Sequence, residues 1–148
     1  MTDVVVRRRP GDEDEVSRFA EAFDDPVNAE ATRSFLGDDR HHLLVVYVGG
    51  DPAGFASAVE ILHPDKPAPE LFLNEIGVIG RFRRAGAGTA LLEELKRLGH
   101  GLGCRAIWVL TDEGNPAAMG MYAKAGGTWD GERHVMFEYE LHVDREMG

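Results

Sequence analysis

Between Leu71 and Leu95 the chain reads LFLNEIGVIGRFRRAGAGTALLEEL, and the change of period inside this stretch constrains the fold more than any other feature. Up to Ile79 it is an apolar run of strand type. From Gly86 to Leu102 the spacing is helical, with Leu91, Leu95, Leu98 and Leu102 on one face and Glu93, Glu94, Lys96 and Arg97 elsewhere. The junction, Arg81-Phe82-Arg83-Arg84-Ala85-Gly86-Ala87-Gly88, crowds three arginines and two glycines together. Amides at a helix N-terminus have no intrahelical partner and lie at the positive end of the helix dipole, and glycine clears the approach to them. The junction therefore reads either as a cradle for a pyrophosphate or as a tight connection with solvated charges. Neither common phosphate-loop pattern fits: no Gly-x-x-x-x-Gly-Lys-Ser/Thr is present, and the dinucleotide fingerprint fails at Leu91.

The flanking elements alternate between strand and helix signals. Val4 to Arg8 reads as a strand closed by Pro10-Gly11, and Glu13 to Phe23 as a helix capped by Asp12. A short helix is expected over Ala29 to Leu36, stopped by Gly37. His42 to Val48 and Ala53 to Leu62 read as a hairpin about Gly49-Gly50-Asp51-Pro52, and His63 to Pro69, with three prolines, as a loop. After the long helix come a strand at Ala106 to Leu110 and a helix from Pro116 to Ala125, with proline in its first turn and Gly126 after it. Strands near Trp129 and over His134 to Leu141 end the chain. This order is α/β with a mixed sheet, and the 148 residues are read as one domain, 1–148.

Composition narrows the partners. With 26 acidic against 16 basic residues the net charge is −10, which argues against nucleic acid, where lysine and arginine dominate binding. The charge either serves solubility or attracts cationic small molecules. No apolar run approaches the roughly 20 residues of a membrane span, and the N-terminus lacks a signal-peptide layout. The single cysteine, Cys104, has no disulfide partner in the chain and reads as a buried structural thiol, so the expected location is the cytoplasm. The six histidines show no metal spacing and are read as structural or solvated, with His134 alone watched as a substitute base.

The spacing Arg83-x-x-Gly86-x-Gly88 after an apolar strand resembles motif A of the GNAT N-acetyltransferase superfamily. The resemblance extends to the acidic Glu75 in Asn74-Glu75-Ile76-Gly77-Val78. It also covers the run Asn115-Pro116-Ala117-Ala118-Met119-Gly120-Met121-Tyr122-Ala123-Lys124-Ala125-Gly126. Gly127 departs from it, standing where the family usually has an apolar residue, with Trp129 expected to fill the space. The resemblance implies a GNAT fold: a mixed, mostly antiparallel sheet of about seven strands with four helices, splayed between the fourth and fifth strands.

It also implies the chemistry. Acetyl-CoA is the expected donor, with its pyrophosphate on Arg83, Arg84, Ala85, Gly86, Ala87, Gly88 and Thr89. The backbone of Ile76, Gly77 and Val78, with a bulge at Gly77, would bind the pantetheine arm together with Asn115 and Tyr122. Glu75, among apolar neighbours, reads either as a paired or outward charge or as a general base whose pKa burial would raise; coincidence with the family's acidic position favours the base. Tyr122 reads by periodicity as a core tyrosine and by resemblance as the acid that protonates the leaving thiolate. No metal is expected.

The compact chain, the Tyr122 segment and Val109-Leu110-Thr111-Asp112-Glu113-Gly114 are most similar to the GNAT-type aminoglycoside 3-N-acetyltransferases. That implies a cationic amine acceptor, with Glu60, Asp65, Glu75, Asp112, Glu113 and Glu138 as candidate contacts, and a homodimer. The alternatives are an acetyltransferase for polyamines, other small amines or protein amines, and a non-catalytic module binding coenzyme A or a cationic drug.

Overall fold

Gly49 and Gly50 both take positive φ, 58° and 86°, the two-residue turn whose twist matches antiparallel strands. They close β2 (His41–Val48) on β3 (Asp51–His63), the centre of the sheet. The computed structural model describes residues 3–142. Its remaining elements are β1 (Asp3–Arg8), α1 (Glu13–Ser17), α2 (Ala29–Leu36), β4 (Lys66–Val78), α3 (Ala87–Gly101), β5 (Ile107–Val109) and α4 (Pro116–Lys124). The strands form one sheet in the order β1-β2-β3-β4-β5, antiparallel except for the parallel β4–β5 pair.

Both faces of this sheet are covered, which explains why Leu43, Leu44, Val45 and Val46 are all buried in succession. Leu44, Val46, Ala56, Ala58, Leu71 and Leu73 pack under Leu91, Leu92 and Leu95 of α3. On the opposite face Leu43, Val45 and Phe55 pack against Val16, Phe19 and Leu36. The helical stripe predicted for α3 is therefore right at Leu91 and Leu95, while Leu98 is only partly buried and Leu92 joins instead.

Several sequence expectations are corrected. The sheet has five strands among the described residues, not about seven: the segments near Trp129 and from His134 to Leu141 form no strand. The expected loop from His63 to Pro69 is instead a tight hairpin, with His63 paired to Lys66. Pro67 and Pro69 share the parity of Leu71, whose amide donates away from β3 to the Ala106 carbonyl at 2.9 Å. The missing N–H groups thus face the side where β5 has not yet begun, and the strand tolerates them. Asp12 does not cap α1 with its side chain; its carboxylate accepts from the Arg9 amide at 2.8 Å and pairs with Arg8 at 3.5 Å. The first helix also stops at Ser17 rather than Phe23, and a 3-10 turn over Ala20–Ala22 follows.

That turn lays the Ala22 carbonyl directly on Gly77: a methyl there would run into the oxygen and meet the Phe55 ring at 3.0 Å. Gly77 is thus a close-approach glycine. The bulge lies three residues earlier, where Ser57 pairs with Glu75 and Ala58 with Leu73, leaving Asn74 as the extra residue. Gly77→Ala is expected to destabilise the fold by about 1–3 kcal/mol, the usual cost of overpacking against groups that cannot retreat. Urea titration of the two proteins measures it; an unchanged midpoint would show that the 3-10 turn moves freely.

A buried polar group sits inside the sheet. His42 on β2 is buried, with Nδ1 accepting from Arg7 at 2.7 Å and Nε2 donating to Glu60 at 2.9 Å. Because arginine can only donate, this places the ring proton on Nε2 and defines a neutral tautomer. Burial lowers the His42 pKa from its ordinary 6.5, Arg7 adding to the effect and the Glu60 hydrogen bond opposing it. The unfolded chain therefore binds a proton here that the folded chain resists. This contribution to stability is present above about pH 6.5 and is lost as pH falls through the lowered folded value. Wild-type urea midpoints should drop between pH 7.5 and 5.5 by more than those of His42→Gln; parallel profiles would assign the acid sensitivity to other groups.

Candidate functional site

β4 and β5 pair through Leu71–Ile107, Phe72–Trp108 and Leu73–Val109. After Val109 the chain leaves the sheet, while β4 continues to Val78. A gap therefore opens alongside Asn74 to Val78. Backbone direction alternates along a strand, and the Ile79 amide donates to the Ala53 carbonyl of β3 at 2.7 Å. Gly77 and Glu75 accordingly turn their backbone groups toward β3, and Ile76 and Val78 turn theirs into the gap. The Val78 carbonyl accepts from Arg83 Nε at 3.5 Å, as this parity requires. Upstream of the bulge the odd residues face β5, as Leu71 does; the extra residue Asn74 is what hands that role to the even ones.

The loop that follows delivers the chain to α3 at the same end of β4. A 3-10 turn, Gly80–Phe82, leads into Arg84 with φ 67° and Gly86 with φ 85°, the left-handed N-cap of α3. Glycine costs least at such a φ. Among the described residues the amides of Gly86, Ala87, Gly88 and Thr89 donate to no backbone or side-chain acceptor. Gly88 is needed for packing as well, because a methyl would come within 2.5 Å of Met121 Sδ on α4. Arg83 and Arg84 are exposed at the rim, whereas Arg81 turns back to pair with Glu21 at 3.4 Å. The loop can thus offer free amides, a helix dipole and two guanidinium groups to an anion.

Glu75 lies on the gap-lining half of β4, and its pairing with Ser57 puts it on the α1–α2 face. It is exposed, so the expected burial among apolar neighbours is corrected: the bulge turns those neighbours, Ile76 and Val78, to the α3 face. Ser57 beside it is buried, and its hydroxyl has no hydrogen-bond partner among the described residues. The sequence gives no sign of Ser57, because only the strand register brings it opposite Glu75. Tyr122 approaches from the other face, packed against the α3-side core and bordering a cavity with Leu73 and Val109, the last paired residues before the gap. Burial raises the Tyr122 pKa, so the phenol keeps its proton at neutral pH, as a proton donor must. Asn115 caps α4, its side-chain oxygen accepting from the Ala118 amide at 3.1 Å.

The acidic candidates for an acceptor disperse. Glu60 is on the α3 face, opposite to Glu75, and is committed to His42. Asp65 sits at the exposed hairpin tip and pairs with Lys66 at 3.1 Å. Asp112 accepts from the Gly114 amide at 2.8 Å, and Glu113 pairs with Arg133 at 3.5 Å; both stand on the loop between β5 and α4, where β5 leaves the sheet. Glu138 is exposed, as are Val135, Phe137, Tyr139 and Leu141 around it. Trp129 is exposed too, so it fills no space at Gly127. Gly127 is small for another reason: a methyl would lie 2.9 Å from the Tyr122 carbonyl. Burial raises the Cys104 thiol pKa, which disfavours a thiolate nucleophile. His134 is exposed and 3.7 Å from Asp130. Among the described residues no group of three or more His, Cys, Asp or Glu side chains could hold a metal ion, and no helix is long and apolar enough to cross a membrane.

Solved structures share this fold. An aminoglycoside acetyltransferase, meta-AAC0020, from an uncultured soil metagenomic sample, solved with sisomicin, superposes with a TM-score of 0.84 at 16% identity over 95% of this chain and 97% of its own. The aminoglycoside acetyltransferase HMB0005, also from an uncultured soil metagenomic sample, gives 0.76 at 25% identity over 97% and 100%. AAC(6')-Iy in complex with the bisubstrate analogue CoA-S-monomethyl-acetylneamine gives 0.75 at 18% over 95% and 100%. No curated protein sequence matches the chain. The acetyltransferase (GNAT) family model matches residues 11–127, which span β2 to β5, the loop and α4. The chain therefore belongs to the GNAT family and is an acetyl-CoA-dependent N-acetyltransferase.

Proposed function

We propose that this single-domain enzyme acetylates the 3-amino group of an aminoglycoside by direct attack of the amine on the thioester. The observation that carries the reading is the open gap beside Ile76 and Val78, with Glu75 exposed on one face of it and Tyr122 on the other. In this reading the Gly86–Thr89 amides with Arg83 and Arg84 hold the donor pyrophosphate. The Ile76 and Val78 backbone and Asn115 hold the pantetheine arm, and one gap-facing amide meets the thioester oxygen as charge develops. Glu75, being solvated, takes the amine proton through a water rather than by direct contact. The amine nitrogen bonds to the acetyl carbon, the carbon–sulfur bond breaks, and Tyr122 gives its proton to the sulfur.

A polycationic acceptor suits the net charge of −10 and the carboxylates Glu75, Asp112 and Glu113. Glu60 is withdrawn from the acceptor set by its bond to His42. The test is release of coenzyme A thiol with gentamicin, sisomicin, kanamycin and spermidine as acceptors. Turnover is expected on the aminoglycosides, falling with added salt because the screening length at about 0.15 M is only about 8 Å. Product analysis should place the acetyl group on the 3-amine. Turnover on spermidine and on no aminoglycoside would move the enzyme to polyamines, and turnover on none of the four to a protein or other small amine.

A further inference from the structure

Ser57 breaks a rule of the sheet that holds it. It lies on β3, 5% exposed, and among the described residues its hydroxyl has no hydrogen-bond partner. Its parity with Phe55 turns it to the α1–α2 face, which Val16, Phe19 and Leu36 cover. On that face its sheet neighbours are apolar on three sides: Phe55 and Val59 along β3, and Leu43 opposite it on β2. Phe55 is itself covered by the Phe23 ring, stacked at 3.9 Å. On the fourth side, directly opposite on β4, stands Glu75. An alanine would suit such a place, because a buried hydroxyl left unpaired costs free energy. Departures of this kind concentrate where a protein does its work.

Glu75 is the counterpart of this orphan. Of the glutamates on β3 and β4, Glu60 accepts from His42, and Glu70 pairs with His63 and Arg105. Glu75 is exposed, and among the described residues no such partner holds it. Bulk water satisfies an exposed carboxylate. A donor and an acceptor entering the gap displace that water, and the carboxylate then needs replacement donors. Side chains directly opposite on antiparallel strands have Cβ atoms about 4.5–5.5 Å apart, within reach of a hydroxyl and a carboxylate.

We propose that Ser57 is a positioning residue for the reaction. When substrates fill the gap, its hydroxyl donates to one oxygen of the Glu75 carboxylate and leaves the other to the water that receives the amine proton. The bond holds one rotamer of a long side chain that would otherwise sample several. The serine keeps its own proton throughout, so no charge passes through it. Its lack of a partner in the fold is then explained, because the partner arrives with substrate. The inference rests on Glu75 as the base and holds whichever amine is acetylated.

Ser57→Ala separates this role from a structural one. Its urea midpoint should equal or exceed that of wild type, since the hydroxyl it removes has no partner among the described residues. Turnover is measured with acetyl-CoA and sisomicin, or with spermidine should sisomicin not react. The kcat should fall about 10-fold or more, the worth of one hydrogen bond to a charged group, with KM for acetyl-CoA unchanged. The deficit should shrink toward pH 10, as is expected for Glu75→Gln. In a Glu75→Gln chain the same substitution should cost nothing further, the coupling of residues that act as one. A lowered midpoint in Ser57→Ala would reveal a partner already present in the fold and overturn the proposal. So would a wild-type kcat in Ser57→Ala beside a slow Glu75→Gln, a result that leaves Glu75 as the base. A wild-type kcat in Glu75→Gln would overturn the assignment of the base as well.

Discussion

Gly86→Asp is expected to weaken acetyl-CoA binding about 100-fold or more, on the estimate that two charge-assisted hydrogen bonds of about 1.5–3 kcal/mol each are lost. The substitution acts twice at one position. It sets a carboxylate beside the free amides of Ala87, Gly88 and Thr89, where a phosphate would otherwise sit. It also forces a side chain onto a backbone with φ 85°. Gly86→Ala separates the two effects, since it carries the same strain without the charge, and should lose far less affinity. Isothermal titration with acetyl-CoA gives both values, and thermal melting shows whether each variant remains folded. Equal and small losses in both variants would remove the loop from donor binding.

The second large effect is at Glu75. Glu75→Gln should lower kcat by roughly 10²–10⁴ at pH 7, the usual worth of a positioned base, with acetyl-CoA affinity nearly intact. The deficit should shrink toward pH 10, where the acceptor amine is already neutral and the base has less to do. Tyr122→Phe should behave differently: it keeps the ring that packs against the α3-side core but removes the phenolic proton, so its loss should not recover as pH rises. The pH profiles of kcat for the three proteins decide the matter. Wild-type rates in both variants at pH 7 would assign the proton transfers elsewhere.

The part of this enzyme that the sequence determined is the part whose geometry is local. The Arg83-x-x-Gly86-x-Gly88 spacing could be read because contiguous residues set it: a glycine at the left-handed cap, a helix starting after it, and amides that no neighbouring side chain satisfies. Asn115 as a cap, Pro116 in the first turn and the hairpin glycines Gly49 and Gly50 were legible for the same reason. The tertiary structure decided whatever depends on register between distant segments. One extra residue at Asn74 turns Ile76 and Val78 into the gap and leaves Glu75 exposed rather than buried. The pairing of β2 with β3 brings His42 to Glu60, a hydrogen bond that no local pattern announces. The approach of Ala22 requires a glycine at 77, where the residue type alone suggested a bulge. At the C-terminal segment the period-two pattern was plain, but a pattern specifies only which face seeks burial; which surface covers it depends on the partners that the fold places within reach.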